Sequence, residues 1–408
     1  MALPEGLDIG AFTSTGNRYG NLNQDYVQTE VWRPGPPPAD APHPAAAQAP
    51  PPPLLIGAVL DGHGLLGESA ASAGGLSVVK ELRRLITAAT ACATPTPAPT
   101  PAAPANGQPG PPSGPTAAAG RDGALERTPL HGLAHAAAAA AATRTLEAIP
   151  EAELCALVDA AFQTAHASAL EIYDDPPRTA SYPDSRTGAP AVYCLQSKDG
   201  LHMYGAPQGS RSAGPAWRPL ECGATCTVAL LQGGRLVVGN VGDSSAVLGS
   251  LDDEGGVRAR LLTFQHCGLH PEEAARISEG YGATVRILPQ DGYMAVSGGF
   301  WAGYQLSVTR ALGHKHMETF GVLHKPSVTC VDLRPEDCCV VLASDGVWDV
   351  MDPSEVVNRC MDALTDGKSA AEAARQLVED AVALAVGSPS GDADNTSAVV
   401  IALPASGV

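Results

Sequence analysis

Short apolar runs in this chain repeatedly meet an aspartate where they begin or end. Leu54–Leu60 (LLIGAVL) leads into Asp61-Gly62-His63-Gly64. The run CCVVLA leads into Ser344-Asp345-Gly346, and Trp348-Asp349 follows closely. Gly242-Asp243-Ser244 is expected inside the central hairpin; Asp392, Asp394 and Asn395 precede Ser397–Leu403; Asn23-Gln24-Asp25 precedes Tyr26-Val27. Any one of these is an ordinary turn. Taken together they constrain the fold, because burying one carboxylate is costly and burying several side by side is prohibitive unless a cation neutralises them. An all-oxygen donor set without cysteine or clustered histidine selects Mg²⁺ or Mn²⁺ over zinc. Gly62 lets its own carbonyl approach such an ion. Two ions a few ångströms apart lower the pKa of a shared water, which can then attack phosphorus in line without a covalent intermediate. His63 is the neighbouring imidazole that could protonate the leaving oxygen.

Length alone, 408 residues, would suggest two or three domains. Proline and glycine lower that number because they are clumped. Residues 34–53 are half proline, and 93–124 repeat Pro, Ala, Thr and Gly, so both read as extended, solvated insertions. A third segment, about 176–219, lacks periodicity and is expected to be an irregular surface loop. The remainder, roughly 300 residues, suits one domain over 8–404 with insertions.

The ordered parts carry two signals. Leu54–Leu60, Cys339–Ala343 and Ser397–Leu403 are short buried-strand candidates. Cys226–Leu248 reads strand, Gly-Gly turn, strand, which predicts a hairpin. Ala152–Tyr173 has helical apolar spacing. Asp352-Pro353-Ser354-Glu355 and Ser369-Ala370-Ala371-Glu372 read as helix starts with capping boxes, the second helix ending near Val386. Strand pairs and helix pairs without a β-α-β rhythm predict an α+β class with antiparallel sheets.

Several chemistries are excluded. A formal charge of −18 opposes binding to phosphate backbones or an anionic membrane surface, so neither nucleic acid nor membrane is expected as a partner. No apolar run approaches the length of a membrane span, and MALPEGLDIG has neither a secretory pattern nor a glycine after Met1 for myristoylation. The ten cysteines form no C-x-x-C pair and read as reduced thiols of an intracellular protein, in cytoplasm or nucleus. Gly367-Lys368-Ser369 lacks the upstream glycine of a phosphate-binding loop. There is no Cys followed six residues later by Arg, no G-x-S-x-G and no H-E-x-x-H. Aromatic content of 4% is thin for a sugar-stacking cleft. Catalysis here would not use a protein nucleophile.

The order of motifs resembles the metal-dependent type 2C serine/threonine protein phosphatases, the PPM family. The matching stretches are NQD (23–25), VLDGHG (59–64), CGATCTVALL (222–231), LVVGNVGDSSAVL (236–248), LLTFQHCGLHPEEAARI (261–277), QLSVTRALGH (305–314), VVLASDGVWDVM (340–351) and DADNTSAVVIAL (392–403). The resemblance implies a four-layer αββα sandwich, two antiparallel β-sheets flanked by helix pairs. It implies metal ligation by Asp25, Asp61, the Gly62 carbonyl, Asp345 and Asp394, with Asp243 and Asp349 at acidic positions serving a further, weaker ion. His63 matches the family's general acid. Because the matching region begins near residue 8, a cleaved transit peptide would have almost no room.

The departures are specific. Gln24 stands where many members have Glu, and Ser245 replaces an Arg. The position five residues before Asp25, where many members carry a phosphate-gripping Arg, is Gly20. Arg18 could take that role only if the turn is longer by a residue or two, and a solvent-facing Arg18 is the alternative. His314 replaces an Asp, and His314-Lys315-His316 is expected to be a surface cluster.

The expected activity is hydrolysis of phosphoserine and phosphothreonine in phosphorylated protein substrates, with two Mg²⁺ or Mn²⁺ ions and a third as an option. The alternative is a catalytically weak or inactive module on the same scaffold, binding a phosphoprotein or regulator. Proline-rich 34–53 could recruit partners through polyproline II contacts, although inert filler is the simpler reading. A monomer is the default oligomeric state.

Overall fold

A computed structural model describes residues 7–20, 22–33, 51–91, 145–183, 190–198, 200–205 and 217–404. The insertion 93–124 and residues 34–50 of the proline-rich stretch lie outside the described residues.

Leu54–Leu60 is buried at every position because both of its faces are covered. Leu54, Ile56, Ala58 and Leu60 point one way, into a cluster with helices α1 (Gly67–Ala91) and α2 (Glu151–Leu170). Leu55 and Val59 point the other way, onto Val340, Leu342, Val399 and Ile401 of a second sheet. This period of two explains why the run is apolar throughout rather than alternating. Asp337–Ala343 and Thr396–Ala402 do the same in the second sheet. There Val341, Ala343, Ala398 and Val400 pack with α5 (Pro353–Thr365) and α6 (Ala370–Val386). Among the described residues the two remaining α-helices are α3 (Pro271–Tyr281) and the short α4 (Asp345–Trp348).

One five-stranded sheet runs Asp8–Ser14, Thr396–Ala402, Asp337–Ala343, Ser245–Leu251 and Val257–Leu261. The other runs Ser327–Asp332, Arg235–Val241, Cys226–Gln232, Leu54–Leu60 and Tyr26–Trp32. All their pairings are antiparallel. The expected mixture of helices and antiparallel sheets is therefore present. At Gly57 the sheets approach so closely that an added Cβ would crowd the Val399 side chain.

Local rules account for the boundaries. Gly233, with φ +60, makes the turn between Cys226–Gln232 and Arg235–Val241, as the Gly-Gly signal predicts. Asp352 caps α5, accepting from the Ser354 and Glu355 amides at 2.8 and 2.9 Å. Glu355 does not close a capping box; it pairs with Arg359. Ser369 and Glu372 form the full box on α6.

Two expectations need correction. Gly242-Asp243-Ser244 does not sit within one hairpin: the chain leaves one sheet at Val241 and enters the other at Ser245. The segment about 176–219 is not an irregular loop. It contains the strands Thr179–Pro183, Pro190–Lys198, Leu201–Tyr204 and Arg218–Pro219, paired in one small sheet. Ala180, Tyr193 and Leu195 anchor it on Leu65, Leu66 and Cys222. Among the described residues no helix is long and apolar enough to cross a membrane.

Candidate metal centre

Antiparallel pairing carries the aspartates to one end of both sheets. Tyr26 pairs with Leu60, so Asp25 before one strand and Asp61 after the other lie side by side. Ala343 pairs with Ala398 and with Ser245, which brings Asp345, Asp394 and Asp243 to the corresponding end of the second sheet. Ser344 stitches the sheets together: its Oγ donates to Asp25 Oδ2 at 2.9 Å and accepts from the Ser397 amide at 3.0 Å. The Asp61 amide donates to Thr225 Oγ1 at 2.9 Å, fixing the Asp-Gly-His-Gly turn. His63 Nε2 stands 3.6 Å from Asp61 Oδ2. One ligand atom each from Asp61, His63 and Asp243 lies within 4.8 Å of the others.

The electrostatics of this arrangement call for a cation. Burial pushes the Asp25 carboxyl up to about 6, with Asp394 adding to the rise and hydrogen bonds from Ser397 and Ser344 opposing it. Burial, then repulsion from Asp345, Asp25, Asp243 and Asp394, raises Asp61 well above the carboxylate range. Asp345 is raised well above it as well, by burial and then by Asp243, Asp394, Asp349 and Asp25. Burial also raises Asp243 and Asp349. Asp25 Oδ1 and Asp243 Oδ1 are buried without a hydrogen-bond partner. Orphaned, mutually repelling oxygens fit a hard divalent ion: a cation supplies the missing partner and removes the repulsion. Burial lowers the His63 imidazole to about 4, with the Asp243 charge opposing and His314 assisting.

Arg18 reaches this centre. The Asn17 and Arg18 amides donate to the Ala393 carbonyl at 3.0 and 2.9 Å, folding residues 15–20 onto the start of Thr396–Ala402. Arg18 Nη1 then meets Asp394 Oδ2 at 2.5 Å. The structure therefore brings together Arg18, Asp25, Asp61, His63, Asp243, Asp345 and Asp394, with Asp349 one helical turn beyond Asp345.

Residues 207–388 match the sequence model of the family described as Protein phosphatase 2C. That stretch of the chain is similar to that family. The chain is 38% identical over 146 residues to Probable protein phosphatase 2C 12 of Oryza sativa subsp. japonica, covering 34% of this chain and 36% of the relative. It is 34% identical over 163 residues to Probable protein phosphatase 2C 41 of Arabidopsis thaliana, covering 40% and 45%. The chain thus spans less than half the length of these curated relatives. The fold resembles that of the serine-threonine phosphatase 2C from Toxoplasma gondii, with TM-score 0.61 and 20% identity over 99% of this chain and 96% of that one. It also resembles a C. elegans sex determining protein, with TM-score 0.54 and 15% identity over 98% and 65%.

Gln24, a departure from the phosphatase 2C pattern, has a structural explanation. Gln24 uses its side chain on the backbone, donating to the Gly64 carbonyl at 2.7 Å, while its amide donates to Asn395 Oδ1 at 2.9 Å. Asn395 Nδ2 donates in turn to the Thr15 and Leu22 carbonyls at 2.8 and 3.0 Å. Asn395 thus clamps the Arg18 loop and the Asp25 approach together, a role that its place beside Asp394 only hinted at. Gly62 is required for more than metal access: a Cβ there would overlap the Gly67 and Gln24 backbones.

His314 corrects an expectation. It is wholly buried rather than at the surface, at φ +52, with Nδ1 3.6 Å from Glu221 Oε2. Glu221, not singled out in the sequence, is also buried and accepts from the His316 amide at 2.8 Å. Its carboxyl is pushed up to about 7 by burial, against the pull of His316. A second group with ligand potential, His166, Glu318 and His324, is better explained by hydrogen bonding. His166 Nδ1 accepts from the Gly313 amide at 3.2 Å, so the proton of the neutral ring sits on Nε2, 3.2 Å from Glu318 Oε1.

Proposed function

We propose that this chain is a metal-dependent protein phosphatase that hydrolyses phosphoserine and phosphothreonine in proteins. Asp25, Asp61, the Gly62 carbonyl, Asp345 and Asp394 would hold two Mg²⁺ or Mn²⁺ ions, and Asp243 and Asp349 a third, weaker one. When bound, such ions neutralise the carboxylates and phosphate and acidify water enough for attack at neutral pH. Arg18, beside Asp394, offers its guanidinium to the phosphate oxygens. His63 presents Nε2 to the acidic cluster; the Asp243 charge favours its protonated form against burial, and in that form it would give its proton to the leaving alcohol oxygen. The observation that carries this reading is the convergence of aspartates from five distant segments with two orphaned buried oxygens.

We read the architecture as a four-layer αββα sandwich, supported by one apolar cluster between the sheets and one beneath each helix pair. One domain over 8–404 is supported by the pairing of Asp8–Ser14 with Thr396–Ala402. A monomer is the default state, and cytoplasm or nucleus is the reading from the cysteine spacing. The activity is tested by phosphate release from a phosphoserine peptide. Turnover with Mn²⁺ that disappears on chelation is expected; no metal-dependent release from any phosphopeptide would overturn it.

A further inference from the structure

The small sheet inserted between α2 and Cys222 reaches the candidate active site. Tyr182 lies in its first strand, Thr179–Pro183, paired with Ala191. The sheet is held in place by the cluster of Ala180, Tyr193 and Leu195 against Leu65 and Leu66, directly after the Asp61–Gly64 turn. Tyr182 packs partly against that cluster, which fixes where its ring can stand. The rings of Tyr182 and Tyr19 are 6.1 Å apart, tilted by 41°. Arg18 Cζ lies 5.3 Å from the centre of the Tyr19 ring, and the same guanidinium meets Asp394. An unbroken row therefore runs from the acidic centre through Arg18 and Tyr19 to Tyr182. The charges of Arg18, Asp394 and Asp61 are all felt at the Tyr182 hydroxyl, which burial pushes up to about 12. Both rings are only half-buried, so aromatic surface remains open beside the guanidinium.

Resting on the phosphatase reading, we propose that Tyr182, backed by Tyr19, is a specificity-determining platform for the polypeptide flanking the phosphorylated residue. A phosphate seated on Arg18 leaves its attached chain to run over the neighbouring ring pair. A phosphopeptide can cover those faces, whereas a small phosphate ester ends before reaching them. Aromatic faces suit this role because they offer large contact area with little side-chain entropy to lose. The insertion would thus favour protein substrates over small phosphomonoesters without contributing to the chemical step.

The test compares wild type, Tyr182→Ala and Tyr182→Phe with Mn²⁺, on a phosphoserine peptide and on p-nitrophenyl phosphate. Binding of a non-hydrolysable phosphonate analogue of the same peptide is measured by fluorescence anisotropy. For Tyr182→Ala the expected result is about a tenfold rise in KM for the peptide at similar kcat, and a similar loss of analogue affinity. Its loss on p-nitrophenyl phosphate should be several-fold smaller, and Tyr182→Phe should behave like wild type. Equal losses on both substrates, or no change in peptide KM and affinity, would overturn the proposal. If wild type hydrolyses neither substrate, the phosphatase reading fails, and the anisotropy comparison still decides whether Tyr182 holds the peptide. Analogue binding that is absent or equal in all three proteins overturns it.

Discussion

The imidazole of His314 stands behind that of His63, ring centre to ring centre 6.0 Å. Neither nitrogen of His314 has a hydrogen-bond partner, although the side chain is fully buried. The ring fits only because residue 223 is glycine; a Cβ there would overlap it. His314 also occupies a left-handed backbone conformation, which His, Asn and Asp tolerate better than most residues. A buried polar ring tolerated at this cost is well placed to fix the orientation of His63.

His314→Asn keeps a residue suited to positive φ but removes the ring that backs His63. Phosphate turnover should fall roughly tenfold to a hundredfold through misplacement of His63. The melting temperature should change by only a few degrees. Steady-state kinetics alongside thermal unfolding would check this, and an unchanged kcat would remove His314 from any role in catalysis.

Asp345→Asn should act in opposite directions on activity and on metal-free stability. Loss of a ligand charge should lower metal-dependent turnover by orders of magnitude. Without metal, the same change removes a carboxylate that burial and then Asp243, Asp394, Asp349 and Asp25 disfavour, so stability should rise. Thermal unfolding in chelator and in Mn²⁺ reads both effects. Wild type should gain stability on adding Mn²⁺, and the variant should gain less.

Glu273 organises a separate buried network that ties α3 to the segment before His314. Its carboxylate accepts from Arg310 Nη2 at 2.5 Å, Arg276 Nη2 at 2.7 Å and Thr309 Oγ1 at 2.6 Å. Burial alone would raise its pKa, but these hydrogen bonds from Arg310, Arg276 and Thr309, with the Arg310 charge, together hold it down at about 2. A depressed folded-state pKa stabilises the protein above the ordinary glutamate value, and that contribution is lost as pH falls toward 2. The shift corresponds to about 3 kcal/mol. Glu273→Gln should lose most of this at pH 7 and flatten the fall in stability between about pH 4.5 and 2. Urea unfolding across that range is the measurement; an unchanged slope would contradict the assignment.

Gly62→Ala should disrupt the centre without touching a carboxylate, since the added methyl meets the Gly67 and Gln24 backbones rather than a movable side chain. We expect loss of Mn²⁺ affinity together with a destabilisation of about 1–3 kcal/mol. Metal titration by calorimetry would show it, and wild-type affinity in the variant would mean that the turn has room to spare.

Much of this was legible in the sequence because of how burial writes itself into strands. Leu54–Leu60 and Thr396–Ala402 are covered on both faces, so their apolar runs stand out. Their flanking aspartates could be read as strand-end residues for the same reason. The sheet containing Tyr182 was not legible, since its strands pack on one small cluster and leave residues such as Val192 exposed. The crossing at Gly242-Asp243-Ser244 was hidden because β-branched residues continue on both sides. Burial of His314 had no local signal: it depends on Gly223, distant in sequence, being small. Arg18 is similar, since its reach comes from two amides bonded to Ala393.

The central claim is that the converging aspartates cage at least two divalent ions on which phosphate release depends. Metal stoichiometry and phosphopeptide turnover, measured on one sample of wild-type protein, test it most directly. Two or more Mn²⁺ ions per chain, with turnover that vanishes on chelation and returns on adding Mn²⁺, are predicted. One ion or none at saturating Mn²⁺, or turnover indifferent to chelation, would contradict it.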